Sequence, residues 1–349
     1  MNYRLLGPSG LRVSELCLGT MTFGEEWGWG ASKEESHRIF DAYAAAGGNF
    51  IDTANRYTEG TSERLVGEFV AAERERFVVA TKYTLFARKG HPNSAGNHRK
   101  NLVQSLEASL KRLKLDRVDL YWVHAWDYLT PVDEVMRALD DVVRAGKALY
   151  VGISDTPAWI VSRANTLAEL RGWTPFAGIQ IEYSLIQRTV ERELLPMARS
   201  LDLAVTAWGP IGGGVLSGKY NPDASPGQKA EPGRMRETPA AARLAERNLR
   251  IAGVVREVAK ESGRTPSQVA VNWVRHQPGK VIPVIGARTL RQIEDTLGAL
   301  GWELSTDQAK RLDEASHIER GFPHEFLDQP YIRDLVYGGT WDQILDRRP

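Results

Sequence analysis

Short apolar runs recur along this chain at roughly 15–20, 49–54, 77–83, 117–124, 148–154, 177–183, 203–209 and 281–286. Each is rich in Val, Ile, Leu or aromatic residues and bounded by turn formers, the pattern of buried strands. The stretches between them carry helical patterns. Ser32 with Glu35, Thr265 with Gln268 and Ser305 with Gln308 fit the capping box, in which cap hydroxyl and third-residue side chain satisfy free backbone donors reciprocally. Thr130-Pro131, Thr156-Pro157 and Thr265-Pro266 put proline at the first helical position, where its missing N–H costs nothing. Ahead of the first run, Tyr3-Arg4-Leu5-Leu6, the turn Gly7-Pro8-Ser9-Gly10 and Leu11-Arg12-Val13 predict a hairpin. Eight strands separated by helix-length crossovers predict an α/β fold, a (β/α)8 TIM barrel built from residues 1–349 as one domain. A doubly wound open sheet is the alternative topology.

Two stretches break the alternation. Residues 217–238, after the seventh strand, are rich in Gly, Pro and charge, and a loop this long in a compact domain is functional or disordered. The C-terminal tail carries Phe322, Phe326, Tyr331, Tyr337 and Trp341, whose bulk favours packing over the barrel wall or its mouth.

Composition narrows the function. A formal net charge of +1 gives no case for nucleic acid or an anionic membrane as partner, which leaves a small molecule. Cys17 is the only cysteine, so neither an intrachain disulfide nor a cysteine metal cluster can form, and its apolar surroundings place it in the core. No run approaches ~18 apolar residues and the first residues do not form a signal peptide, so a cytoplasmic enzyme is expected.

Asp52, Lys82 and His124 stand at the ends of three consecutive predicted strands, and Tyr57 follows the first by about one turn. A parallel barrel opens all its strand C-termini on one face and so would bring the four together. A phenol ordinarily titrates near ~10, but a neighbouring ammonium favours its anion and a carboxylate keeps that ammonium charged. Asp52, Lys82 and Tyr57 would then titrate as one coupled unit, with His124 bonding a substrate oxygen from the other side. Taken singly, each residue has an ordinary structural reading. Together they suit proton delivery to an alkoxide formed as hydride reaches a carbonyl.

Several motifs resemble the aldo-keto reductase family: Phe50-Ile51-Asp52-Thr53-Ala54 with Tyr57, Thr81-Lys82, His124, Gly152-Ile153-Ser154, Gln180-Ile181-Glu182-Tyr183-Ser184, Trp208-Gly209-Pro210-Ile211 with Gly218-Lys219-Tyr220, and Gly286-Ala287-Arg288. The likeness runs from Tyr3 to about Ala299. It implies a (β/α)8 barrel and NADP(H)-dependent interconversion of carbonyls and alcohols. It makes Tyr57 the general acid, Lys82 and Asp52 its tuning pair, and His124 the residue that positions the carbonyl.

The resemblance also implies a cofactor site. Ser154, Asp155 and Gln180 would face the nicotinamide carboxamide, Trp208 would stack on the ring, and Gly209, Pro210 and Ile211 would lead to Lys219 at the pyrophosphate. Thr20 and Met21 would add contacts beside Asp52. Beyond Gly286, Arg288 would face the adenosine 2′-phosphate, with Gln292 and Asp295 toward the adenine ribose and Arg234 joining from the long loop. A guanidinium fork suits a phosphate dianion, which favours NADP over NAD. Gly212-Gly213-Gly214 is no dinucleotide fingerprint, since it neither follows a first strand nor has the G-x-G-x-x-G spacing. Three positions depart from the family pattern: Asp155 where Asn or Arg is common, Thr296 where Asn often follows the adenine-side acid, and Gly209 where Ser is common. Aromatic walls for the substrate are expected from Trp27, Trp29, Phe86 and Trp126. Two other functions are alternatives: a barrel aldolase with a Schiff base on Lys82, which wants a lysine of lowered pKa, and a non-catalytic nucleotide sensor.

Overall fold

A computed structural model describes residues 1–221 and 239–345. An antiparallel hairpin, β1 (Tyr3–Leu5) and β2 (Arg12–Ser14), precedes eight parallel strands. These are β3 (Cys17–Gly19), β4 (Phe50–Asp52), β5 (Val78–Tyr83), β6 (Val118–Val123), β7 (Ala148–Ser154), β8 (Phe176–Glu182), β9 (Ala204–Trp208) and β10 (Val281–Ile285). Each pairs with the next, and β10 pairs with both β9 and β3, so the sheet closes into a barrel rather than remaining open. The outer helices are α1 (Lys33–Ala45), α2 (Thr61–Val70), α3 (Arg99–Leu113), α4 (Val132–Arg144), α5 (Ala158–Arg171) and α6 (Leu194–Ser200). They continue as α7 (Glu246–Ser262), α8 (Pro266–Arg275), α9 (Leu290–Leu297) and α10 (Thr306–Ser316), with α11 (His324–Leu327) and α12 (Pro330–Tyr337) in the tail. No described helix is long and apolar enough to cross a membrane.

Side-chain alternation sorts the strands into two cores. Ile51, Val79, Tyr121 and Val123 face the helices, whereas Phe50, Ala80, Leu120 and Trp122 fill the interior with Leu6 and Val13 of the hairpin. The hairpin therefore plugs the end where the strands begin. Gly7 lies at its turn with φ 60°, and a Cβ there would fall 2.0 Å from the Ala177 carbonyl oxygen. Gly152 leaves room for the Trp122 ring, which a Cβ would meet at 2.3 Å. Cys17 is buried in this inner core, and burial holds its thiol well above the usual range.

The expected strands appear within a residue or two. The first is shorter than expected because Glu15 leaves the ladder: its carboxylate accepts from the Asn2 N–H at 2.7 Å and pairs with Arg275 at 2.7 Å. The capping boxes at Thr265 and Ser305 are present. At Ser32 only half the box forms, since the Glu35 carboxylate turns to the Leu290 N–H at 2.6 Å and ties α1 to α9. Pro131 and Pro157 are the caps of α4 and α5 rather than their first helical residues, while Pro266 is at the first position. The tail meets the segment before α6 through His324 and Glu193 (3.0 Å) and through the Arg192 guanidinium and the Glu319 carbonyl (2.7 Å). These anchors are polar and α11 and α12 are short, so Phe322, Tyr331 and Val336 remain exposed instead of packing.

Candidate active site

The inward phase that places Phe50, Ala80 and Trp122 in the interior continues two residues on to Asp52, Lys82 and His124. The register aligns them, with Asp52 opposite Ala80 and Lys82 opposite Trp122. Past the strand ends, the N–H of Asn55 bonds to the Lys82 carbonyl and that of His124 to the Tyr83 carbonyl, so the ladder still controls the loops. Tyr57 is held by its N–H bond to the Ala54 carbonyl, and the chain then turns through Thr58, Glu59 and Gly60, all with positive φ.

Lys82 and Asp52 form a fully buried ion pair. The Lys82 ammonium also donates to the Tyr57 hydroxyl at 3.1 Å and to the Thr53 carbonyl at 3.0 Å. The second Asp52 oxygen accepts from the Gln180 amide at 3.1 Å. Burial opposes charge on Lys82, but Asp52 and Tyr57 outweigh it and hold its pKa above the ordinary value. That is the reverse of what Schiff-base chemistry needs. Burial also dominates at Tyr57: Lys82 pulls the phenol down, yet its pKa stays above that of a free tyrosine. The phenol is therefore protonated across the neutral range. The imidazole of His124 lies edge-on to the Tyr57 ring, with centroids 5.8 Å apart. Burial and the nearby ammonium push its pKa well below the usual histidine range, so it is neutral. Its Nδ1 is buried without a partner, as is Oδ1 of Asn55.

The expected nicotinamide end is already internally bonded. Asp155, with φ 42°, accepts from the Trp208 indole N–H at 3.1 Å, and burial raises its pKa. Behind it, Glu182 pairs with Arg243 at 2.6 Å, and the guanidinium sits 5.9 Å from the Trp208 ring. The expected set lacked this Arg243–Glu182 pair. Its only sequence signal was Glu182 beside Tyr183, and the partner arrives 61 residues later. Ser154 and Gln180 are buried on neighbouring strands.

The expected phosphate end gathers cations instead. Lys219 has its pKa lowered by burial and by the nearby Arg288, and neither forms an ion pair among the described residues. Gly214, with φ 96°, brings its backbone to Lys219, and a Cβ there would approach the ammonium to 3.3 Å. Gly209 also has positive φ. Pro210 is buried, and Ile211 packs on the outer core. The Gln292 side chain accepts from the Arg288 N–H at 2.8 Å, and Asp295 is held by Gln268. Gly286 is exposed just past β10, and Met21 is half-buried just past β3.

Three expected positions lie differently, and a fourth is not described. The Thr20 hydroxyl is buried and spent on the Asp52 carbonyl and Ser62, so it buttresses β4 rather than facing a ligand. Trp126 is half-buried against the outer core. Phe86 is exposed beneath the Arg56 guanidinium, 4.4 Å away. Arg234 lies outside the described residues. Trp27 and Trp29 do pair at the rim, with centroids 5.5 Å apart, and Trp27 donates to Glu59 at 3.1 Å.

An acid and an ammonium that are both buried, a phenol and a neutral imidazole thus stand together at the C-terminal ends of the barrel strands. Residues 15–317 match the model of the aldo/keto reductase family, and the chain belongs to that family. It is an oxidoreductase of a class that uses nicotinamide cofactors. It is similar to a norsolorinic acid reductase of Emericella nidulans, at 38% identity over 99% of this chain and 90% of the relative. An aryl-alcohol dehydrogenase of Pestalotiopsis microspora is 38% identical over 93% of this chain and 85% of its own. The NADP(+) aryl-alcohol dehydrogenase of Phanerodontia chrysosporium is 35% identical over 98% and 93% respectively.

Proposed function

We propose that this chain reduces aromatic aldehydes or ketones to alcohols with NADPH, Tyr57 donating the proton. The observation that carries this reading is the 3.1 Å bond from the buried Lys82 ammonium, itself paired with Asp52, to the Tyr57 hydroxyl. When bound, the cofactor supplies a hydride to the carbonyl carbon. As charge grows on the carbonyl oxygen, Tyr57 passes its proton to it, and the ammonium stabilises the phenolate left behind. Neutral His124 offers a ring N–H to the same oxygen without competing as an acid. Asp52 keeps the ammonium charged throughout, and Gln180 holds Asp52.

The residues fit the cofactor. Lys219 and Arg288 supply positive charge with no ion pair among the described residues, and Gly214 leaves the backbone room that a side chain would fill. Arg288 at the 2′-phosphate accounts for a preference for NADPH over NADH. Asp155 holds the Trp208 indole and keeps a free carboxylate oxygen as acceptor for the carboxamide NH₂. An aryl substrate accords with the named chemistry of the relatives and with Trp27 and Trp29 at the rim.

The test is a panel of aromatic and aliphatic aldehydes, ketones and keto-sugars with NADPH and NADH, followed by cofactor absorbance. Turnover of aryl carbonyls with NADPH is expected. Cofactor binding with no turnover of any carbonyl would point to a nucleotide sensor instead.

A further inference from the structure

A cavity of about 580 Å³ lies beside the barrel mouth, walled by one face of α3, the turn after β4 and the loop after β5. That volume is within the range of small-ligand sites. Its lining is strongly unbalanced in charge. Arg56, Arg88, Lys100 and Arg112 contribute four cations and Glu59 the only carboxylate. Arg56 is answered by Glu59, and Arg112 by the buried Glu63 behind the wall. Arg88 and Lys100 have no ion pair among the described residues, and His91 adds a further donor.

Two other features point the same way. The first turn of α3 holds Arg99 and Lys100 and no acidic residue, although a helix N-terminus favours negative charge. Arg99 is drawn off by Asp141 at 2.6 Å, and its N–H by the Glu134 carboxylate at 3.0 Å, whereas Lys100 has no ion pair among the described residues. The loop that carries Arg88 and His91 is also closed on itself, with the Ala87 N–H bonded to the Ser94 carbonyl at 2.8 Å and the Ser94 N–H to that of His91 at 3.0 Å. It holds like charges over the cavity in a formed turn.

We propose that this cavity is a binding site for a small polyanion, a molecule bearing phosphate or several carboxylates, held by Arg88, Lys100 and Arg56. The site adjoins the turn that carries Tyr57. A ligand on Arg56 competes with Glu59 for the guanidinium and so acts on the left-handed segment Thr58–Gly60. The anion has two possible sources, the remote charged group of a carbonyl substrate or a separate effector. The distinction between them rests on the carbonyl-reducing activity proposed above; the site itself does not.

The experiment titrates inorganic pyrophosphate into the NADP⁺-saturated protein by calorimetry, and again in an Arg288→Ala background so that binding at Lys219 and Arg288 does not count. Saturable one-site binding, weakened at least tenfold in Arg88→Ala/Lys100→Ala, is expected. Both side chains are exposed, and circular dichroism checks the fold of the variant. No saturable binding, or equal binding in the double variant, overturns the proposal. Activity then separates the sources. A tenfold rise in KM for 4-formylphenyl phosphate, with none for 4-methoxybenzaldehyde, identifies a substrate group. A pyrophosphate-dependent change in turnover of the neutral aldehyde, lost in the double variant, identifies an effector. Absence of all carbonyl turnover bears on the proposed reaction and leaves the titration result standing.

Discussion

The two ends of the barrel mouth are built on opposite electrostatic plans. At the ends of β4 to β6 the charge of Lys82 is answered by Asp52, and Asp52 is held in turn by Gln180. After β9 and β10, Lys219 and Arg288 stand near each other and no described carboxylate pairs with them. The first end has its charges paired without a ligand, which pre-organises the Lys82 ammonium against the Tyr57 hydroxyl. The second carries surplus positive charge that an anion would relieve, as phosphate binding needs. Removing a charge should therefore damage folding at the first end and only affinity at the second.

The largest effect is expected from Lys82→Met, which leaves Asp52 buried and unpaired. Breaking such a pair costs about 3–5 kcal/mol, and denaturant unfolding should show a loss of that order. Asp52→Asn/Lys82→Met should recover part of it. A loss below about 1 kcal/mol would mean that the pair is not a folding constraint.

Arg288→Ala should leave unfolding unchanged and weaken NADPH by the value of one charge-assisted bond, about 1.5–3 kcal/mol. NADH, which lacks the phosphate, should change little. Equal losses for the two cofactors in fluorescence titration would remove Arg288 from the phosphate.

A smaller effect is expected from Asp155→Asn, because the amide oxygen can still accept from the Trp208 indole although the charge is lost. NADP⁺ affinity by calorimetry should stay within tenfold of wild type. A greater loss, above ~1.4 kcal/mol, would show that the carboxylate charge itself is needed.

No effect at all is expected from protonating His124 near its ordinary pKa of about 6.5. With that pKa lowered, the imidazole stays neutral as pH falls past this value and charges only well below it. The kcat/KM profile should therefore be flat from about pH 8 down through 6.5. A limb centred near 6.5 would place a solvated imidazole at the site.

The grouping of Asp52, Lys82 and His124 was readable because two independent signals met there. Strand alternation fixes which residues point inward, and abrupt polar stops at Asp52, Lys82 and His124 mark where the apolar runs cease. The end proposed for the cofactor is suggested in the sequence only by family resemblance. Its bonds are side-chain pairings across 53 residues from Asp155 to Trp208 and 61 from Glu182 to Arg243, which no local pattern predicts. Aromatic residues near strand ends were misleading for a related reason. Trp126 lies after His124 but packs on the outer core, and Phe86 turns to a cavity wall, because side-chain direction in a loop follows no period. The same lack of a period hid the basic cavity, whose charges come from three separate segments.

The central claim is that Tyr57, held by Lys82, delivers the proton. Single-turnover reduction of an aromatic aldehyde by NADPH, wild type against Tyr57→Phe, measures that step apart from binding and release. The account predicts a loss of roughly 10²–10⁴ in rate, with NADPH affinity nearly unchanged. A variant that keeps more than about half the wild-type rate would contradict it.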